Sequence, residues 1–88
     1  MITWDEAKRA SNLKKHKNDF VDLGGAFDLP MITVEDNRES YSELRLQSLA
    51  MFRGRVVLLI WTERRDAAHL ISCRYAYRTQ TQDYFKNL

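Results

Sequence analysis

The dipeptide Arg53-Gly54 is the tightest local constraint in this chain, because it separates two apolar segments by the shortest loop that an antiparallel hairpin tolerates. Before it, Leu44, Leu46, Ser48, Ala50 and Phe52 alternate with Arg45, Gln47, Leu49 and Met51. That is the period of a strand with one mostly buried face. After it, Val56 to Trp61 is continuously apolar, as expected of a central strand covered on both sides. Glycine supplies the positive φ such a turn needs. Any fold available to the chain must hold these two segments side by side in an antiparallel sheet.

The remaining elements are read around that hairpin. Asp5 is a candidate N-cap for a helix running to about Lys17, with Trp4 placed to staple its first turn. Lys8, Asn12 and Lys15 follow helical spacing and share one face, with His16 beside Asn12. A second helix is predicted over Asp19–Phe27, with Phe20, Leu23 and Phe27 inward; Gly24 and Gly25 weaken it, and Pro30 lies beyond its end. Met31–Val34 reads as a short strand and Glu35–Tyr41 as a polar loop. Glu63–Asp66 reads as a charged turn, Ala67–Tyr75 as the last strand, and Arg78–Leu88 as a closing helix with Tyr77, Thr81, Tyr84 and Leu88 on one stripe. The expected fold is α+β: two N-terminal helices, a four-stranded antiparallel sheet and a C-terminal helix, with residues 1–88 as one domain.

Composition narrows the function classes. Of the 88 residues, 44% are apolar, enough for one core, and 30% are charged with a formal net charge of only +2. Net charge therefore does not predict nucleic-acid binding, but its distribution does more. Lys8, Arg9, Lys14, Lys15 and Lys17 crowd the first helix, and Arg53, Arg55, Arg64, Arg65, Arg74 and Arg78 fall in the second half. The lone Cys73 cannot form an internal disulfide, which fits a reducing cytosol, and it reads as a core residue. Charge begins at Asp5, so no leader peptide is expected, and the run Val56–Trp61 is too short to span a bilayer. His16 and His69 are the only histidines and lack partners at metal-ligand spacing. No glycine-rich phosphate loop, nucleophile elbow or dinucleotide fingerprint is present. Neither a metal nor a cofactor is expected.

Pairing the last two strands about a regular Glu63–Asp66 turn places Arg55 opposite Arg74, and His69 opposite Ile60. Directly opposed like charges are unfavourable in a sheet. Two arginines kept there are expected to be neutralised by an anion, a carboxylate or a phosphate. Arg53 in the adjacent turn and Arg78 at the following helix start bring four guanidiniums to one end of the sheet. Arg64 lies at the other end, roughly 25–30 Å away at about 3.3 Å per residue. The competing reading is that these arginines are solvated strand ends paired with Asp83 or other acids. His69 reads as a satisfied sheet histidine.

Trp4-Asp5-Glu6-Ala7-Lys8, Asn12-Leu13, Lys15-His16 and Phe20 resemble the N-terminal signature of the BrnT family of ribonuclease toxins. Thr62-Glu63-Arg64 and Ile71-Ser72-Cys73-Arg74-Tyr75-Ala76 are similar to that family's last two strands, with Arg78 at the start of its final helix. The Glu35-Asp36-Asn37-Arg38 loop with Tyr41, Glu43 and Arg45 also fits. The resemblance implies a RelE-like fold, metal-independent endoribonuclease activity in the bacterial cytoplasm, and a small BrnA-like ribbon-helix-helix antitoxin through which alone operator DNA is bound. Arg74 and Arg78 match the family's C-terminal basic positions, and Lys15-His16 its N-terminal pair. Arg55, Arg74 and Arg78 are the candidates for stabilising charge on the phosphate. His16 is the candidate base or, alternatively, a residue that fixes the helix against the sheet. Lys8, Lys15, Arg53 and Tyr75 are the candidate RNA-binding residues. The chain departs from the family pattern where it has Tyr75 for lysine, Gln80 for glutamate and Lys17 for glycine. An amide cannot take a proton as a carboxylate does, so either another group is the base or this member is slow. The alternative function is a non-catalytic module that binds RNA or the antitoxin.

Overall fold

The computed structural model describes residues 1–88. Its first element is a strand absent from the sequence reading, β1 (Ile2–Trp4), followed by helix α1 (Glu6–His16). Asp5 caps α1, its side chain accepting from the N–H groups of Ala7 and Lys8 at 2.8 and 3.2 Å. Lys14, Lys15 and His16 occupy the last turn, where cations suit the helix dipole. The helix closes on Lys17, which takes the left-handed conformation at φ 64° and donates its N–H to the Leu13 carbonyl. A side chain in this conformation costs roughly 1–2 kcal/mol, a cost that glycine would avoid.

The predicted second helix does not form. Two 3₁₀ turns, Phe20–Asp22 and Gly24–Asp28, occupy its place. Phe20, Leu23 and Ala26 are all buried, and their spacing of three is the period of a 3₁₀ helix, whose side chains eclipse at i and i+3. The two glycines remove the propensity that an α-helix would need. Arg9 ties this segment to α1 through Asp19, at 2.7 and 3.0 Å.

The sheet has five strands, completed by β2 (Ile32–Glu35), β3 (Leu46–Phe52), β4 (Arg55–Arg64) and β5 (Ala67–Tyr75), in the order β1-β5-β4-β3-β2. Four of the strands pair antiparallel as expected. The expectation of a wholly antiparallel sheet is corrected by β1, which runs parallel to β5 from Ile2 beside Ala68 to Trp4 beside Leu70. Three residues are too few to carry an alternation signal. The Arg53-Gly54 hairpin forms as predicted, with φ of 50° and 77° and Phe52 paired to Arg55. Helix α2 (Arg78–Lys86) closes the chain, two residues shorter than predicted.

The register between β4 and β5 differs from the sequence reading, for two reasons. The turn is only Arg65-Asp66, both residues at positive φ, and Arg64 pairs with Ala67. A bulge then follows: Trp61 pairs with Leu70 but Ile60 with Ser72, leaving Ile71 as the extra residue. A bulge of this kind re-aims every side chain beyond it. Arg74 consequently lies opposite Leu58, and His69 opposite Thr62. The predicted Arg55–Arg74 pair does not exist: Arg55 sits three residues further along β4, about 10 Å by strand rise.

The two faces of the sheet are differently covered. One packs Ala50, Phe52, Val57, Leu59, Leu70 and Cys73 against Phe20, Leu23 and Ala26 of the 3₁₀ segment. Cys73 is fully buried, and burial pushes its thiol up to about 12, so it is a core residue as predicted. The opposite face carries Leu58 and Ile60 and is only partly covered by α2, whose Tyr84 is buried and donates to the Pro30 carbonyl at 2.8 Å. Beyond the end of β1, α1 takes over the free edge of β5: the buried Asn12 accepts from the Cys73 N–H at 2.9 Å and donates to Asn18. His69 is satisfied by Thr3 Oγ1 at 2.9 Å, as a sheet histidine should be.

Candidate active site

The partly covered face of the sheet holds a cleft of about 340 Å³. Leu58 and Ile60 form its floor, with Ile71 and Ser72 at the bulge. His16 from the end of α1, Arg38 and Arg45 from the segment before β3, Arg74 from β5 and Tyr77 before α2 form the walls. A smaller hollow beside it is lined by Lys8, Asn12 and Lys15 and shares His16, Ile71 and Ser72 with the cleft. The result is a continuous basic trough whose apolar floor belongs to the sheet.

Arg74 is held from three directions. Its guanidinium lies 4.0 Å from the centre of the Tyr77 ring. One terminal nitrogen donates to the Tyr75 carbonyl at 3.1 Å and to Oε1 of Gln80 at 3.2 Å. The same Gln80 oxygen accepts from the Tyr77 N–H at 2.9 Å, so one amide caps the start of α2 and orients the arginine. No carboxylate pairs with Arg74, and its charge faces the cleft uncompensated.

His16 is half-buried at the end of α1, which packs along the edge of the strand that carries Arg74. Burial, and then the charges of Lys15 and Arg74, hold its imidazole below the ordinary histidine range. A neutral ring beside uncompensated cations is a proton acceptor at neutral pH. Asp36 anchors the third wall. Its buried carboxylate accepts from Arg38 Nε at 2.8 Å and Nη2 at 2.9 Å, from Gln47 at 3.0 Å and from the Tyr41 hydroxyl at 3.2 Å. Arg38, first among these donors, holds the Asp36 carboxyl well below the usual carboxylate range.

The predicted four-arginine cluster is therefore divided. Arg74 and His16 come together, with Lys8 and Lys15 in the adjoining hollow. Arg55 stacks on Tyr75, 3.7 Å from the ring centre, and strand alternation puts both on the face of Val57, away from Arg74. Arg53 pairs with Asp22 beside that same face, at 3.1 Å. Arg78 opens α2 next to Tyr77, exposed and without a carboxylate partner. Arg64 is bound instead by Glu43, at the far end of β4. Sequence reasoning did not assign Arg38, Arg45 or Tyr77 to a site. The alternation did group Arg45 with Gln47 and Leu49, but nothing showed that Arg74 would emerge on the same face.

A family model described as the ribonuclease toxin BrnT of type II toxin–antitoxin systems matches residues 4–80. The chain belongs to the BrnT family. The matched span contains every residue that lines the basic trough, from Lys8 to Tyr77, and ends on Gln80. For a BrnT chain the substrate class is RNA and the partner class is an antitoxin. No curated protein matches this BrnT sequence closely. No helix of this BrnT chain is long and apolar enough to cross a membrane.

Proposed function

We propose that this chain is a metal-independent endoribonuclease toxin of the bacterial cytoplasm, acting as one RelE-like domain over residues 1–88 and neutralised by a BrnA-like ribbon-helix-helix antitoxin. Operator DNA is reached only through that antitoxin. The observation that carries the reading is the meeting of an uncompensated Arg74 and a neutral-leaning His16 in one cleft. RNA bound there presents a ribose 2′-hydroxyl and the adjacent phosphate. His16 takes the hydroxyl proton as the 2′-oxygen attacks phosphorus. The bond to the 5′-oxygen breaks, and that oxygen receives a proton on leaving. The products are a 2′,3′-cyclic phosphate and a 5′-hydroxyl end. Arg74 stabilises the charge that builds on the phosphate oxygens, with Arg78 beside it on a neighbouring phosphate. Lys8 and Lys15 hold the strand entering the trough. Arg53, Arg55 and Tyr75, on the other face, stay outside the reacting centre.

Gln80 favours a second reading, in which the trough binds RNA without cutting it. Glutamate at this position would set a carboxylate against Arg74, where the amide now sits at 3.2 Å. Induction in a bacterial host separates the two. A cutting enzyme arrests growth when expressed alone, and co-expression of its antitoxin relieves the arrest. If only a Gln80→Glu variant arrests growth, the chain is a weakened toxin. If the wild-type chain and Gln80→Glu are both harmless, the toxin reading is wrong for this chain.

A further inference from the structure

Arg45 is the cation in this molecule least accounted for by its surroundings. Its Nε is buried and has no hydrogen-bond partner. Arginine stays charged at any accessible pH, so it cannot meet burial by losing a proton as lysine does. Both acids nearby are committed elsewhere. Glu43 is gripped by Arg64 through two hydrogen bonds. Asp36 is filled by Arg38, Gln47 and Tyr41. Arg45 feels Glu43 only at a distance, makes no ion pair with any carboxylate, and lines the cleft.

The guanidinium is also held in one plane. It lies 4.2 Å from the centre of the Tyr41 ring, and the Tyr41 hydroxyl is fixed by Asp36 at 3.2 Å. The buried carboxylate thus orients the ring, and the ring covers one face of the guanidinium. Arg74 is built the same way on the opposite wall, with Tyr77 covering one face at 4.0 Å. Two guanidiniums, each stacked on a tyrosine and neither paired with a carboxylate, line one cleft. A planar fork stacked on one face offers its edge, and the edge is what binds two oxygens of a phosphate at once.

We propose that Arg45 and Arg74 form a two-sided subsite for a single phosphodiester of the RNA, with the Asp36–Tyr41 pair as its positioning device. This deepens the RNA-cleaving reading above and rests on the same cleft, but it concerns binding and can be tested without catalysis. The probe is a short single-stranded 2′-O-methyl oligonucleotide, which has no free 2′-hydroxyl and cannot be cut. Its affinity is measured over a range of salt for wild type, Arg45→Ala and Arg64→Ala. Each phosphate contact on a single strand contributes about 0.7 to the log–log salt slope. Arg45→Ala should lower the slope by a resolvable part of that amount, because Arg74 stays on the same phosphate, and Arg64→Ala should leave it unchanged. In ¹⁵N-labelled wild type, the Arg45 Nε–H resonance should shift on titration with the same oligonucleotide, a readout that no folding defect can mimic. An unchanged slope in a folded Arg45→Ala protein, or an immobile Nε–H resonance, overturns the subsite. If wild type fails to cut ordinary RNA yet the slope and the resonance respond, the subsite stands and the ribonuclease reading falls.

Discussion

Replacing Arg74 by alanine is expected to lower the rate of RNA cleavage by ~10²–10³, the usual cost of one preorganised donor to a developing oxyanion. The residue meets the requirements for that role: stacked on Tyr77, hydrogen-bonded to Gln80 and the Tyr75 carbonyl, and facing the cleft without a carboxylate. Binding should fall less than the rate, because Lys8, Lys15 and Arg45 would remain to contact the strand. Arg64→Ala is the control. Arg64 lies six residues along β4 from the partner of Arg74, about 20 Å by strand rise, and Glu43 already neutralises it. Its loss should change cleavage only a few-fold. Circular dichroism must show both variants folded, since Arg74 also braces the entrance to α2. Abolished cleavage in Arg64→Ala with normal cleavage in Arg74→Ala would move the active site to the Arg65-Asp66 turn.

Replacing His16 by alanine should cost ~10²–10⁴, the range for a lost general acid–base group. The pH profile tells this role apart from a structural one. A base must be unprotonated, so kcat/KM should rise with pH and level off above the pKa of His16. Burial, Lys15 and Arg74 hold that pKa below the ordinary value of about 6.5. The rise should therefore lie on the acid side of that value, with a flat rate through neutrality. Removing Arg74 removes one of the charges that disfavour the imidazolium. In Arg74→Ala the residual activity should keep its acid limb, moved to higher pH. A helix-anchoring histidine predicts neither: the limb would be absent in wild type, or unmoved by Arg74→Ala.

What the sequence allowed to be read was local. Asp5 capping, the Arg53-Gly54 hairpin and the extent of β5 are each decided by residues close in the chain, and the structure shows all three. Over the 3₁₀ segment, Phe20, Leu23 and Phe27 suit an α-helix, while the equally visible spacing of Phe20, Leu23 and Ala26 suits the tighter one that forms. The site was half legible. His16, Lys8 and Lys15 lie close together on one helix whatever the fold, and they line one hollow. Arg74 lies opposite Leu58 and not Arg55 because the turn is two residues shorter than the charged stretch suggests and a bulge at Ile71 shifts the register. A bulge has no composition signal in this stretch, yet it decides which face receives Arg74. Arg38 and Arg45 reach the cleft only because Asp36 folds its loop around a buried carboxylate, a contact with no periodicity to reveal it.

The central claim is that this cleft cuts RNA through the ribose hydroxyl. The direct measurement incubates purified protein with single-stranded RNA in EDTA, alongside the same strand carrying 2′-deoxyribose throughout, and identifies the new ends. The account predicts cleavage of the ribose strand alone, leaving 2′,3′-cyclic phosphate and 5′-hydroxyl ends. Cleavage of the deoxy strand, activity that disappears in EDTA, or RNA left intact by both wild type and Gln80→Glu would contradict it.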